Sequence, residues 1–368
     1  MLRKSTNQEI HMKFLRLGIL LLWGVIGCNS TNDDIPNEPN ESMYFPPIAS
    51  NTWETKSVTS LGWKEPAISG LLDFLEESNS KSFMILVNGR IVMEEYYDGH
   101  TAADSWQWNS AGKALVTAGV GIAQDEGLLN INSKVSAYLG EGWTNETVAQ
   151  EELINVRHLL TMTSGLNDAS EFIIKQNLTY LADAGTRWSY HNVFQKLMEV
   201  VEEAAQQNFE AYLTAKLLAK LGMDGTWNNG LIFTIFHSTT RSMARFGLLA
   251  LNKGVWDSQQ LIPTSFFTES ITSSQELNPA YGYLWWLNGK NAYMIPGEQT
   301  VFDGSIVPNA PADMYAAMGA SDQRIYVVPS KNMVIIRMGN TADPGAENFA
   351  LSGFDYALWE KLNALWND

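Results

Sequence analysis

The chain has 368 residues, 45% of them apolar, enough for one large domain or two small ones around a packed core. Its formal charge of −16 argues against nucleic acid or an anionic membrane surface as a partner and fits a soluble, self-repelling surface. Rings are abundant, with 13 Trp, 13 Tyr and 15 Phe, so some are expected to line a cleft as well as fill the core.

The N-terminus reads as a targeting segment. Lys13 and Arg16 form a positive end, and Leu17 to Ile26 form an apolar run too short to span a bilayer. Either Met1 or Met12 can serve as the start. The run ends in Val25-Ile26-Gly27-Cys28, and Cys28 is the only cysteine. This is similar to a bacterial lipobox, which implies a signal peptide over 1–27 and a lipid on Cys28; an ordinary secretory signal with a stray cysteine is the alternative. A single cysteine excludes an intrachain disulfide. Residues 28–45 are polar and Pro-containing and read as a disordered tether. Residues 46–368 read as one domain, without a second linker, an internal repeat or a low-complexity tract. The expected location is the bacterial cell envelope, lipid-anchored.

Within that domain a helix is expected over 65–79, followed by a hairpin. Ser82–Val87 and Ile91–Tyr97 flank Asn88-Gly89, a strong two-residue turn signal. Apolar residues at helical spacing then predict helices over 110–126, 155–163, 191–206, 209–221 and 239–253. Strands return over Tyr281–Leu287, Met314–Met318, Arg324–Val328 and Met333–Met338, and a helix over 350–366 closes the chain. Sheet residues at both ends around a helical middle predict an α+β fold. One antiparallel sheet would be flanked by the terminal helices, with a mainly helical region inserted.

Ser110-Ala111-Gly112-Lys113 places a hydroxyl and an amine one helical turn apart, where the amine can help remove the hydroxyl proton. The same spacing occurs in Ser78-Asn79-Ser80-Lys81, but at the polar end of a helix, where both side chains should be solvated. After Ser110 the run Ala114–Ala123 is small and apolar on all sides, as in a central buried helix. Lys113 should then sit near the base of a cleft, its pKa lowered by desolvation. A capping serine with a snorkelling lysine is the bland alternative. No Gly-x-Ser-x-Gly elbow, P-loop, His-Glu-x-x-His or paired-Cys spacing is present, and only five histidines occur. No metal or organic cofactor is expected.

Two stretches downstream carry a family resemblance: Gln124-Asp125-Glu126-Gly127-Leu128-Leu129 through Leu139, and Ile154-Asn155-Val156-Arg157-His158-Leu159-Leu160-Thr161-Met162-Thr163-Ser164-Gly165-Leu166. With Ser110-x-x-Lys113 they resemble the serine β-lactamase-like family of class C type, which includes esterases, DD-peptidases and 6-aminohexanoate-dimer hydrolases. The likeness runs from about residue 80 to 340 and implies a β-lactamase/transpeptidase-like fold. Met162 stands where relatives often carry His, at a position expected to be structural. The family's Tyr-x-Asn motif appears as Tyr190-His191-Asn192. The resemblance implies that Tyr190, its pKa depressed by the lysine, relays the proton, and that Asn192 holds Lys113 and a substrate carbonyl. His191 is expected to face away.

The third motif, Lys-Thr-Gly or His-x-Gly in relatives, falls at Ala317-Met318-Gly319, so the cation is missing. Gly319 would let substrate approach the strand, and the N–H groups of Ala320 and Ser110 would form an oxyanion hole. Trp106, Trp108 and Trp188 flank the motifs as candidate cleft walls, Trp188 as a substrate contact; packing is as good a reading. Strand alternation should send the rings of Trp285 and Trp286 opposite ways. The stretch from Pro308 to Gly339 looks closest to the aminohexanoate-dimer-hydrolase branch. The expected activity is hydrolysis of a small ester or amide through an acyl-enzyme on Ser110, with β-lactam turnover doubtful. A catalytically silent surface-binding protein and a DD-peptidase remain alternatives.

Overall fold

Asn88 and Gly89 adopt φ values of 49° and 79°, the left-handed pair that a two-residue hairpin turn requires. They join β1 (Ser80–Val87) to β2 (Arg90–Tyr96) in antiparallel register. A Cβ on Gly89 would lie 1.9 Å from the Tyr44 carbonyl oxygen, so the incoming N-terminal segment can cross the turn only at a glycine. The computed structural model describes residues 41–230, 233–343 and 351–366. The chain from Ser42 onward forms one unit. The signal and lipidation readings, including Cys28, lie outside the described residues. The expected tether ends early: Tyr44 N–H donates to Asn88 O at 2.9 Å, and Phe45 meets Trp256 edge-on at 5.0 Å.

The main sheet adds β3 (Trp286–Leu287), β4 (Tyr315–Gly319), β5 (Gln323–Val328) and β6 (Met333–Gly339), in the order β2-β1-β6-β5-β4-β3. Every neighbouring pair is antiparallel. Pairing of β1 with β6 ties the first strand of the chain to the last, as the α+β expectation required.

The central strands are buried on both faces, because helices cover each. On one face lie α1 (Pro66–Glu77) and α5 (Gly353–Trp366), with Phe74 stacked on Phe354 at 5.7 Å and Trp359 edge-on to Tyr326 at 5.7 Å. The opposite face receives α4 (Thr240–Leu251), where a Cβ on Gly247 would lie 2.5 Å from Val334 Cγ1 and 3.2 Å from Ile325 Cγ2. Residues 325 and 326 thus face opposite helices, the period-2 signature of a strand.

Arg324, on the α1/α5 face, is fully buried against carboxylates. Its Nε donates to Asp355 Oδ1 at 2.6 Å and its Nη2 to Asp322 Oδ1 at 3.0 Å, so burial is outweighed and the guanidinium is held above its usual range. Arg337 stands opposite it in register and bonds mainly carbonyls, and burial lowers it to about 10.

The inserted region is built on α2 (Lys113–Asp125), which is buried along nearly its whole length. Gly119 and Gly121 admit close neighbours, since Cβ atoms there would meet Phe209 Cε2 at 2.9 Å and Phe266 Cδ1 at 2.4 Å. Next to it runs α3 (Lys196–Ala205), burying Leu197, Val200 and Val201.

Several expectations need correction. The 209–221 helix is interrupted by a widened turn at Thr214–Leu218. Of Tyr281–Leu287 only Trp286–Leu287 is strand. Leu284 sits at φ 60°, and Gly282 N–H donates to Trp285 O at 2.9 Å, closing a turn. A small sheet of Trp106–Gln107, Thr234–Ser238 and Thr226–Asn229 and a helix at Thr264–Ser270 were not foreseen. Finally, Ser78 and Lys81 are not a solvated pair. Ser78 is buried at the end of α1, and Lys81 forms an ion pair with Asp98 and lies 5.7 Å from the Trp106 ring.

Candidate active site

Ser110 sits in a tight 3-10 turn, Asn109–Gly112, that runs directly into α2. The turn is fixed from both sides. Trp108 is buried, its N–H donating to Phe236 O at 2.8 Å and its Nε1 to Ser238 Oγ at 2.9 Å. Asn109 takes φ 48°, a conformation Asn tolerates, and its Nδ2 donates to Ala320 O at 2.8 Å. The end of β4 presses on this turn: a Cβ on Gly319 would lie 2.4 Å from Trp108 O, 2.9 Å from Ala111 N and 3.0 Å from Ser110 N. Gly319 thus admits the backbone of the Ser110 turn, a close approach the sequence reading did not foresee. It also sets Ala320 beside Ser110, as the expected oxyanion pair needs. Behind the strand Arg324 Nη1 donates to Gly319 O at 2.8 Å.

Lys113 Nζ and Ser110 Oγ are 2.6 Å apart. The ammonium form donates to the hydroxyl; in the neutral amine the bond reverses and Oγ–H donates. Lys113 is 3% exposed, its Nζ 4.4 Å from the Tyr190 ring centre and 4.3 Å from that of Phe194. Desolvation in this aromatic box lowers its pKa to about 7, opposed only by the negative charge of Glu171.

Tyr190 joins the site as anticipated, but its chemistry differs from the expectation. Burial pushes the phenol well above its usual range, only partly offset by the Ser110 hydroxyl. The lysine lies over the ring face, a cation–π position, and gives the phenolate no relief. Tyr190 therefore stays protonated at neutral pH, its Oη buried near the Ser110 hydroxyl but, among the described residues, in no hydrogen bond of ordinary geometry. The ring stacks on Trp286 at 5.7 Å. Trp188 is 1% exposed and packs on Tyr281 and Trp286, so it backs Tyr190 and offers no open face. The rings of Trp285 and Trp286 do diverge: Trp285 stacks on Phe246, Trp286 on Tyr190.

Asn192 is buried in the site, yet its Nδ2 donates to Glu171 Oε2 at 2.6 Å and Glu171 O at 3.3 Å, not to Lys113. That correction exposes a feature the sequence reading missed. Residues 168–171 are tied to residues 187–192 by a ladder of polar contacts. Arg187 Nη2 and Ser189 Oγ donate to Asp168, His191 Nε2 is 2.8 Å from Ser170 O, and Asn192 holds Glu171. His191 thus points to Ser170 and away from Ser110. Met162 is buried with φ 59° and accepts the Ser189 N–H at 2.8 Å, a structural position as expected. Ala317 is buried in β4 and brings no charge.

The site thus brings together a buried amine on a serine hydroxyl, a protonated phenol and the end of β4 beside Ser110. The chain belongs to the beta-lactamase family, whose model matches residues 74–354. Proteins of this fold family are serine hydrolases. An uncharacterised protein of Alkalihalophilus pseudofirmus is 22% identical over 306 residues, covering 73% of this chain and 85% of its own length. Among solved structures, a Bacillus anthracis protein provisionally named a 6-aminohexanoate-dimer hydrolase superposes with TM-score 0.64 at 16% identity, covering 88% of each chain. EstCE1, a hydrolase with promiscuous acyltransferase activity, superposes with TM-score 0.62 at 12% identity, covering 84% of this chain and 99% of its own. A beta-lactamase from Mycobacterium bovis gives 0.58 at 20% identity, covering 81% and 98%. At these identities the superpositions establish the β-lactamase/transpeptidase-like fold. Among the described residues no helix is long and apolar enough to cross a membrane.

Proposed function

We propose that the protein hydrolyses a small ester or amide through a covalent acyl-enzyme on Ser110. The observation that carries this is the 2.6 Å contact between Ser110 Oγ and a lysine amine that burial brings to a pKa of about 7. A lysine at its ordinary pKa would be an ammonium unable to accept the serine proton. Here the neutral form is abundant at physiological pH, and it already holds the hydroxyl.

In the proposed reaction Ser110 Oγ attacks the carbonyl carbon as its proton passes to Lys113 Nζ. The oxyanion is received by the N–H groups of Ser110 and Ala320. Collapse breaks the bond to the leaving group, which takes up a proton. Tyr190 Oη, protonated and free of other partners, donates to it and is reprotonated from Lys113. Water then attacks the acyl carbon by the same route in reverse, releasing the acid and restoring Ser110. Ala317 at the place of the usual cation supports uncharged substrates over β-lactams, whose carboxylate would lack a partner.

The test is hydrolysis of p-nitrophenyl esters and linear anilides beside a chromogenic cephalosporin, by the wild type and Ser110→Ala. The reading requires Ser110-dependent turnover of an ester or anilide exceeding that of the cephalosporin; turnover surviving in Ser110→Ala refutes it. A lipid anchor on Cys28 in the cell envelope is proposed from the sequence alone, and loss of membrane fractionation in Cys28→Ser tests it.

A further inference from the structure

Glu171 lies on the 168–171 segment and reaches into the site through Asn192, which grips both its carboxylate (2.6 Å) and its backbone oxygen (3.3 Å). The residues just before it are pinned, by Arg187 on Asp168 and His191 on Ser170, and Asn192 holds Glu171 itself, so the charge is held in place. Among the described residues Glu171 forms no ion pair, and its Oε1 makes no hydrogen bond. Asp168, three residues earlier, is by contrast neutralised by Arg187. The residue is exposed, so the free oxygen is open to an incoming molecule.

Lys113 does not neutralise it in the reactive form of the enzyme, since catalysis needs that amine uncharged. Nor can β4, where Ala317 stands and Arg324 is consumed by Asp322 and Asp355. An unpaired carboxylate beside an uncharged nucleophile leaves the catalytic centre electronegative, in a protein of formal charge −16.

We propose that Glu171 is a specificity-determining residue that makes the site favour acyl donors carrying a cationic group near the scissile carbonyl and reject those carrying a carboxylate. The inference rests on the acyl-enzyme reading above. A charge within about 6–8 Å at a protein surface changes binding by roughly tenfold in each direction, so cationic and anionic isosteres should differ by about 100-fold. Because the interaction is partly screened, the preference should shrink in high salt.

The experiment compares kcat/KM for p-nitrophenyl esters of pentanoic acid, 4-(trimethylammonio)butanoic acid and glutaric acid, each normalised to its uncatalysed rate. Wild type, Glu171→Gln and Glu171→Lys are measured at low and high salt, with folding checked by Tm. The wild type should favour the ammonium ester over the glutarate by about 100-fold. Glu171→Gln, which can still accept the Asn192 hydrogen bond, should cut that ratio to within about threefold of unity, and Glu171→Lys should invert it.

A residue that only positions Asn192 would change all three esters equally. An unchanged ratio in both variants therefore overturns the proposal while leaving the hydrolase intact. If the wild type cleaves none of the esters, the pentanoate included, and Ser110 resists a fluorophosphonate, the hydrolase reading fails and this one with it.

Discussion

Lys113 is the group whose titration should govern the pH profile. Burial in the Tyr190–Phe194 box lowers its pKa to about 7, so the neutral base dominates above that pH and the ammonium below it. One protonation with that midpoint leaves about a tenth of the enzyme active at pH 6 and about nine-tenths at pH 8. For an uncharged ester, kcat/KM should therefore rise with unit slope up to pH 7 and level off above it. The negative charge of Glu171 is what opposes the desolvation, so Glu171→Gln should move the midpoint to lower pH. Stability follows with its own sign. The unfolded lysine keeps its proton up to about pH 10.5, so this group makes the fold more stable as pH rises from about 7 to 10.5. Lys113→Met should correspondingly raise Tm at pH 6 while abolishing turnover. The assay is kcat/KM from pH 5.5 to 9 in constant ionic strength. A flat profile, or a midpoint above pH 9, would refute the reasoning.

Other substitutions separate stability from chemistry. Tyr190→Phe removes a buried hydroxyl that makes no hydrogen bond of ordinary geometry among the described residues, so Tm should hold or rise while kcat/KM falls about 10²–10⁴-fold; a large drop in Tm would contradict this. Gly319→Ala sets a Cβ 2.4 Å from the Trp108 carbonyl oxygen, which must move the nucleophile turn, costing about 1–3 kcal/mol in denaturant unfolding and about 100-fold in rate. Wild-type activity in that variant would disprove the contact. Asp355→Ala leaves the buried Arg324 guanidinium with Asp322 as its one remaining carboxylate partner among the described residues and should lose about 3 kcal/mol of stability by urea titration.

Much of the fold was legible because its signals are local. Asn88-Gly89 specifies its hairpin by backbone chirality, and the small apolar run after Lys113 specifies a helix buried on all sides. Ser110, Lys113 and Tyr190 were legible from spacing together with the blocks between them. What the sequence hid depends on contacts between distant residues. The bond from Asn192 to Glu171 spans 21 positions and follows no periodicity. The close packing of Gly319 on the Ser110 turn was hidden because that turn lies far upstream. The direction of the Tyr190 shift was misjudged because proximity to a lysine was legible and the ring-face geometry was not. Tyr281–Leu287 read as a strand because its aromatic residues suit one, whereas Leu284 at φ 60° turns the chain.

The central claim is that Ser110, activated by Lys113, forms a covalent acyl-enzyme. Intact-mass spectrometry after a fluorophosphonate or a slowly released ester tests it most directly. The account predicts a single adduct that maps to Ser110, forms faster as pH rises through 7, and is absent from Ser110→Ala. An adduct on any other residue, or undiminished ester hydrolysis by Ser110→Ala, would contradict it.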